Sequence, residues 1–191
     1  MKNGSLSLIY GNRLMVICAC FYLAWWIITF RPPEPKGTLV GRICLVMAFL
    51  TGLGGLFWCI KELNTQTDSA VNRGIPGMMI VTGGIAAYLI LLTITGKIMH
   101  RQVTSELLII TGWTVLELCL LNYWYQQGSL QTGWAVGFAV IVIAAAVVSL
   151  ICYLLYYNLP YVQGYIDGCI PLGLVAVIMS GINLAVWTGM R

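Results

Sequence analysis

The chain has 191 residues, of which 60% are hydrophobic and only 8% charged. An average soluble domain carries roughly 25% charged residues, so this composition excludes water as the main solvent and points to lipid. The formal charge of +4 is too small and too dispersed for a nucleic-acid footprint, which removes nucleic acid from the expected partners.

The opening stretch MKNGSLSLIYGNR is polar and leads into an apolar run without an A-x-A-like cleavage site, so it is read as a tail and not as a signal peptide. A spanning helix needs about 20 mostly apolar residues. The first such segment covers 14–30 and stops at Arg31-Pro32-Pro33-Glu34-Pro35-Lys36-Gly37, a proline-rich basic run that cannot continue a helix. Trp25, Trp26 and Phe30 at its end suit an aromatic belt at the headgroups. The second segment covers 39–60 and is followed by the longest hydrophilic loop, 61–73. The third covers 75–96 and carries Pro76 near its first turn, where a missing donor costs little.

The fourth segment, 103–125, is the least apolar, since it contains Glu106, Thr111, Thr114, Glu117 and Asn122. The fifth covers 134–157, and the sixth covers 169–188 after a link at 158–168. The expected fold is therefore all-α: one polytopic membrane domain of about six helices, arranged as three consecutive hairpins, with no internal repeat beyond the helix rhythm. Orientation rests on the basic residues. With six spans, Lys2, Arg13, Lys61, Arg73 and Arg191 fall on one side, and Arg31, Lys36, Arg42, Lys97 and Arg101 on the other, so the ten split five and five. The second set is packed into short loops, which places both termini outside, with the plasma membrane as the expected location.

Helix association in a bilayer depends on small residues and a few interhelical hydrogen bonds. Ala48, Thr51, Gly52 and Gly55 form such a strip in the second segment, Gly83 and Ala87 in the third, and Ala176 and Ser180 in the sixth. The seven cysteines lie in or at the ends of apolar segments and are read as small hydrophobes. Cys18 and Cys20 are about 200° apart on a helix, and no C-x-x-C or Cys/His pairing exists, so no metal is expected.

An ionisable group deep in a membrane costs about 2.5 to 3.5 kcal/mol on insertion scales and marks a pathway or site by default. Glu117, in the middle of the fourth segment, is the clear case. At about 100° per residue, Glu106, Ile110, Trp113, Thr114, Leu121 and Trp124 share its face. That stripe suits a proton or cation path from Glu106 to Glu117, or a cavity in which Trp113 and Trp124 hold a small polar or cationic ligand by cation–π contact. The bland alternative is a neutral Glu117 hydrogen-bonded to Asn183, Ser180 or Thr93 on a neighbouring helix. A second cluster, Tyr153 to Gly168, contains five tyrosines with Gln163 and Asp167. Tyrosines favour bilayer interfaces and Asp167 suits an N-cap of the last helix. The sharper alternative is a ligand mouth, in which Asp167 and Gln163 fix a polar group and rings such as Tyr161 wall it.

Several chemistries lack their residues. His100 is the only histidine, so bis-histidine haem ligation is excluded, and no cofactor is expected. Rhomboid-type proteolysis wants an intramembrane histidine beside its serine, and an opsin wants a lysine in the last span; neither is present. In size and helix count the chain is similar to several unrelated groups, among them the substrate-binding membrane subunits of energy-coupling-factor vitamin importers, a likeness of bulk properties that carries no functional residue across. The leading expectation is a small-solute or ion-handling membrane protein, whether transporter, channel or substrate-capture subunit, with a polar site beside the fourth helix. Its partners would be the bilayer, a small polar or cationic ligand, and a membrane protein or a second copy of itself. The alternative is a non-transporting assembly or regulatory subunit. A third is a membrane enzyme acting on a lipid or quinone with Glu117 or Asp167 as acid and base, but two carboxyls on different helices are too generic, and the reading leans away from an enzyme.

Overall fold

The computed structural model describes residues 3–65, 77–97, 104–156 and 158–189. They form six helices and, among the described residues, no strand: α1 (Asn3–Thr29), α2 (Leu39–Thr65), α3 (Gly77–Lys97), α4 (Thr104–Gln126), α5 (Thr132–Tyr156) and α6 (Tyr161–Gly189). Each is long and apolar enough to cross a membrane, α4 included, as expected of a multi-pass integral membrane protein. Large apolar side chains such as Phe49, Phe57, Ile109, Val177 and Leu184 point outward, which suits a surface solvated by lipid.

The ends of the helices follow local chemistry. Thr38 caps α2, its Oγ1 accepting the Gly41 N–H at 3.1 Å. Gly128, with φ of 72°, closes α4: the Ser129 N–H donates to the Trp124 carbonyl at 2.9 Å and the Gly128 N–H to the Tyr125 carbonyl at 3.0 Å. A residue with a side chain would be strained at that φ.

Three helices run further than the hydropathy pattern indicates. α2 continues to Thr65, five residues into the hydrophilic stretch expected as a loop from 61. α1 begins at Asn3, where a tail was expected up to residue 13, and its span includes Asn12 and Arg13. Scattered polar residues dilute the apolar signal there without breaking the helix. α6 begins at Tyr161, eight residues before the expected 169. Pro160 stands just outside the first turn, and its carbonyl accepts the Gly164 N–H at 2.9 Å. The tyrosine-rich link is thus mostly helix, and Asp167 lies inside α6. It is therefore not an N-cap, because that place belongs to Pro160. Pro171, inside α6, has no N–H to offer the Asp167 carbonyl one turn earlier.

The chain packs as two units, residues 1–70 with 151–191, and residues 71–150. In the first, α1 packs against both α2 and α6. The α1–α2 contact uses the small-residue strip. A Cβ on Gly55 would lie 2.9 Å from the Gly11 carbonyl oxygen, and one on Gly52 would lie 2.9 Å from Cys18 Sγ. α6 runs antiparallel to α1: the Trp26 indole donates to the Tyr165 carbonyl at 3.1 Å at one end, and Arg13 lies 5.3 Å from the Trp187 ring at the other. The start of α1 and the close of α6 therefore share one end of this unit. The Ala176–Ser180 strip of α6 is not used in this packing, for Ser180 is exposed and its hydroxyl donates to the Ala176 carbonyl.

In the second unit α3 packs on α4. A Cβ on Gly84 would collide with Val115 Cγ2, whereas Gly83 next to it has nothing within 4 Å. Valine is stiff at χ1 and cannot swing aside. Gly84→Ala is therefore expected to cost about 1–3 kcal/mol, Gly83→Ala nearly nothing, and Val115→Ala is expected to recover at least about 0.5 kcal/mol of the first loss. Denaturant unfolding in detergent checks the set, and equal losses at both glycines would contradict the packing.

Candidate functional site

α4 is the most buried of the six helices, which explains how it tolerates the lowest apolar content. Two of its faces differ. Trp113, Leu116, Glu117, Leu120, Leu121 and Trp124 are buried, with Glu117 and Trp124 both at 0% exposure. At about 100° per residue they fall on one side of the helix, a stripe about 16 Å long from Trp113 to Trp124. The indole N–H groups of both tryptophans are buried with no hydrogen-bond partner among the described residues. An unmatched buried donor costs about 1–3 kcal/mol, so two on one stripe beside a carboxyl mark an interior with unmet polar capacity.

The other face opens on a half-open apolar groove of about 510 Å³ between α3, α4 and α5, whose lining includes Gly83, Ala87, Thr111, Thr114 and Leu118. Thr114 donates to the Ile110 carbonyl at 2.8 Å and Thr111 to the Leu107 carbonyl at 2.7 Å, so the hydroxyl hydrogens stay on their own helix. The expected stripe is thus divided: Trp113, Glu117 and Trp124 lie on the tightly buried face, while Ile110 and Thr114 line the groove and Glu117 does not. Glu106 is in the first turn of α4, but its side chain lies outside the described residues, as does His100. Of the neighbours expected for a neutral Glu117, Thr93 donates to Leu89 and Ser180 to Ala176.

The tyrosine cluster lies in the other unit and also separates. Tyr161 and Tyr165 join Trp26, Phe30 and Tyr156 around a half-open pocket of about 350 Å³, with Gly164 between them. The Tyr161 hydroxyl donates to the Phe30 carbonyl at 2.9 Å. Gln163 is exposed, and Asp167 turns toward the Cys152 thiol of α5; neither lines the pocket. Asp167 Oδ2 is buried with no hydrogen-bond partner among the described residues.

Sequence reasoning misses the buried Asn12 and Ser149 and the pocket role of Trp26 and Phe30. Asn12, assigned to the tail, is fully buried in α1; its amide, that of Asn183 in α6, and the Ser149 hydroxyl in α5 are buried without hydrogen-bond partners among the described residues. Trp26 and Phe30, read as belt residues, are pocket walls, and the signal available was their place at the close of the first segment, on the side where the fifth segment also ends. No group of three or more His, Cys, Asp or Glu that could hold a metal occurs among the described residues. No family model, curated protein or solved structure matches the chain.

Proposed function

We propose that this protein handles a small solute or an ion within the bilayer, as a transporter, channel or substrate-capture subunit, and that Glu117 is its coupling or binding residue. The observation that carries this reading is the complete burial of Glu117 on a helix long and apolar enough to span a membrane, between two tryptophans whose indole N–H groups have no hydrogen-bond partner among the described residues. Buried carboxyls in membranes are expensive and mark proton relays or ion paths. Protein reconstituted in liposomes and energised by a potassium diffusion potential is expected to take up protons, read by an internal pH dye. Glu117→Gln is expected to remove that uptake, and identical traces would overturn the assignment.

The dense basic segments 31–42 and 97–101 support cytoplasmic placement of those loops in the plasma membrane, with both termini outside. A C-terminal epitope tag is then expected to be digested by protease added to intact cells; its protection would reverse the orientation. A second reading, a non-transporting assembly subunit, is favoured by the groove between α3, α4 and α5. Its wall of Gly83, Ala87 and Ala146 is smooth enough to seat a further membrane helix.

A further inference from the structure

We infer that the aromatic pocket formed by α1, α5 and α6 binds a methylated ammonium group, carried either by a free solute or by a lipid headgroup. The inference is independent of the role given to Glu117, which lies in the other unit. At about 350 Å³ the pocket is near the lower end of small-molecule sites, which run from about 300 to 1,000 Å³.

Five aromatic rings wall it, and they meet at angles. Trp26 and Phe30 are 4.5 Å apart and tilted by 34°, and Trp26 meets Tyr156 edge-on at 5.8 Å and 63°. Rings set this way make an aromatic corner around the pocket, and aromatic rings attract a cation. The walls are also fixed. The Trp26 indole is tied to the Tyr165 carbonyl, and the Tyr161 hydroxyl to the Phe30 carbonyl. Gly168 lets Trp26 lie directly on α6, since a Cβ there would run into the indole ring. Gly164 is buried and adds no side chain, so the floor stays open.

Electrostatics select the sign of the ligand. α1 ends at Thr29 and α5 at Tyr156, so two helix C-termini reach the pocket, against the single N-terminus of α6 at Tyr161. Each terminus carries a partial charge of about half a unit, negative at C-termini and positive at N-termini, so the backbone contribution of the helix ends favours a cation. Among the described residues no charged side chain lines the pocket.

Hydrogen bonding selects the class of cation. The same two bonds that fix the walls use the indole N–H, the tyrosine hydroxyl hydrogen and two of the nearby carbonyls. A primary ammonium is strongly hydrated and would give up that water to a lining that holds no carboxylate among the described residues, at a desolvation cost. A fully methylated ammonium has no N–H donors, and its spread charge and methyl surface suit the aromatic rings. The pocket sits where α1 leaves the bilayer toward Arg31-Pro32-Pro33, a level at which both solutes and lipid headgroups arrive.

The test uses the full chain in nanodiscs of phosphatidylglycerol, which offers no methylated ammonium, with labelled tetramethylammonium as the probe. Saturable binding is expected, displaced by choline and not by ammonium at equal ionic strength. Tyr165→Leu and Phe30→Leu are each expected to weaken it about tenfold, and Tyr165→Phe to leave it nearly intact. Circular dichroism and thermal unfolding of the variants separate loss of the pocket from loss of the fold, and the phenylalanine variant keeps the test open if a leucine variant does not fold. Glu117→Gln is expected to bind as wild type does, so failure of the proton-handling reading would leave this result unchanged. Absence of saturable binding to folded wild type, equal displacement by ammonium, or full binding by a folded leucine variant would each overturn the inference. Repeating the titration in phosphatidylcholine nanodiscs identifies the source: weakened binding of the probe supports a lipid headgroup as the ligand, and unchanged binding supports a free solute.

Discussion

Glu117→Gln is expected to lower potential-driven proton uptake into liposomes by about tenfold or more while leaving the protein folded. Glutamine has nearly the volume of glutamate and keeps a hydrogen-bonding head group, so as a volume-conserving swap it should shift stability by less than about 1.5 kcal/mol. What it removes is the exchangeable carboxyl proton. The two roles open to a buried carboxyl therefore give opposite results. A residue that only donates or accepts one hydrogen bond within the bundle is replaced adequately by an amide, and uptake is unchanged. A residue that takes up and releases a proton is not. Trp113 and Trp124 sharpen the comparison, because they lie on the same buried face and their N–H groups have no hydrogen-bond partner among the described residues. Replacing either by phenylalanine removes an unsatisfied donor and keeps most of the ring, so both variants are expected to be no less stable than wild type.

Gly55→Val is expected to produce the largest loss of stability in the first unit. A Cβ at Gly55 would sit 2.9 Å from the Gly11 carbonyl oxygen and 3.1 Å from the Met15 amide nitrogen. Both are backbone atoms of a regular helix and cannot rotate away, so α1 and α2 must separate along their line of closest approach. Overpacking of this kind costs about 1–3 kcal/mol, and two added methyl groups place it at the upper end or beyond. Gly54→Val provides the control, since the nearest atom to its Cβ is a flexible Leu14 methyl at 4.0 Å. Unfolding in mixed detergent micelles should separate the two clearly. Equal midpoints would mean that α1 and α2 are not held by this approach.

These expectations show which features can be read along one dimension. The six helices follow from long apolar runs, because a segment in lipid must satisfy its own backbone hydrogen bonds and the helix does so locally. The strip of Ala48, Gly52 and Gly55 is legible for a similar reason, since spacing of three and four places residues on one helix face whatever the partner. The ends at Asn3 and Tyr161 are less legible, because a polar or proline-flanked first turn carries a weak hydropathy signal although its geometry is helical.

The site divides along the same line. That Glu117 is a costly residue follows from its position in an apolar run, before any neighbour is known. The sequence determined by itself a set of six apolar helices, one carboxyl deep in an apolar run and a tyrosine-rich stretch between the fifth and sixth helices, since each of these is a local property of composition and period. Only the tertiary structure decided that Thr114 faces a groove while Glu117 does not, that Asp167 turns to Cys152, and that Trp26 and Phe30 close a pocket with Tyr156, Tyr161 and Tyr165. A helical period fixes which residues share a face, but it carries no information on what packs against that face. Residues more than a hundred positions apart meet only when α1 and α6 dock.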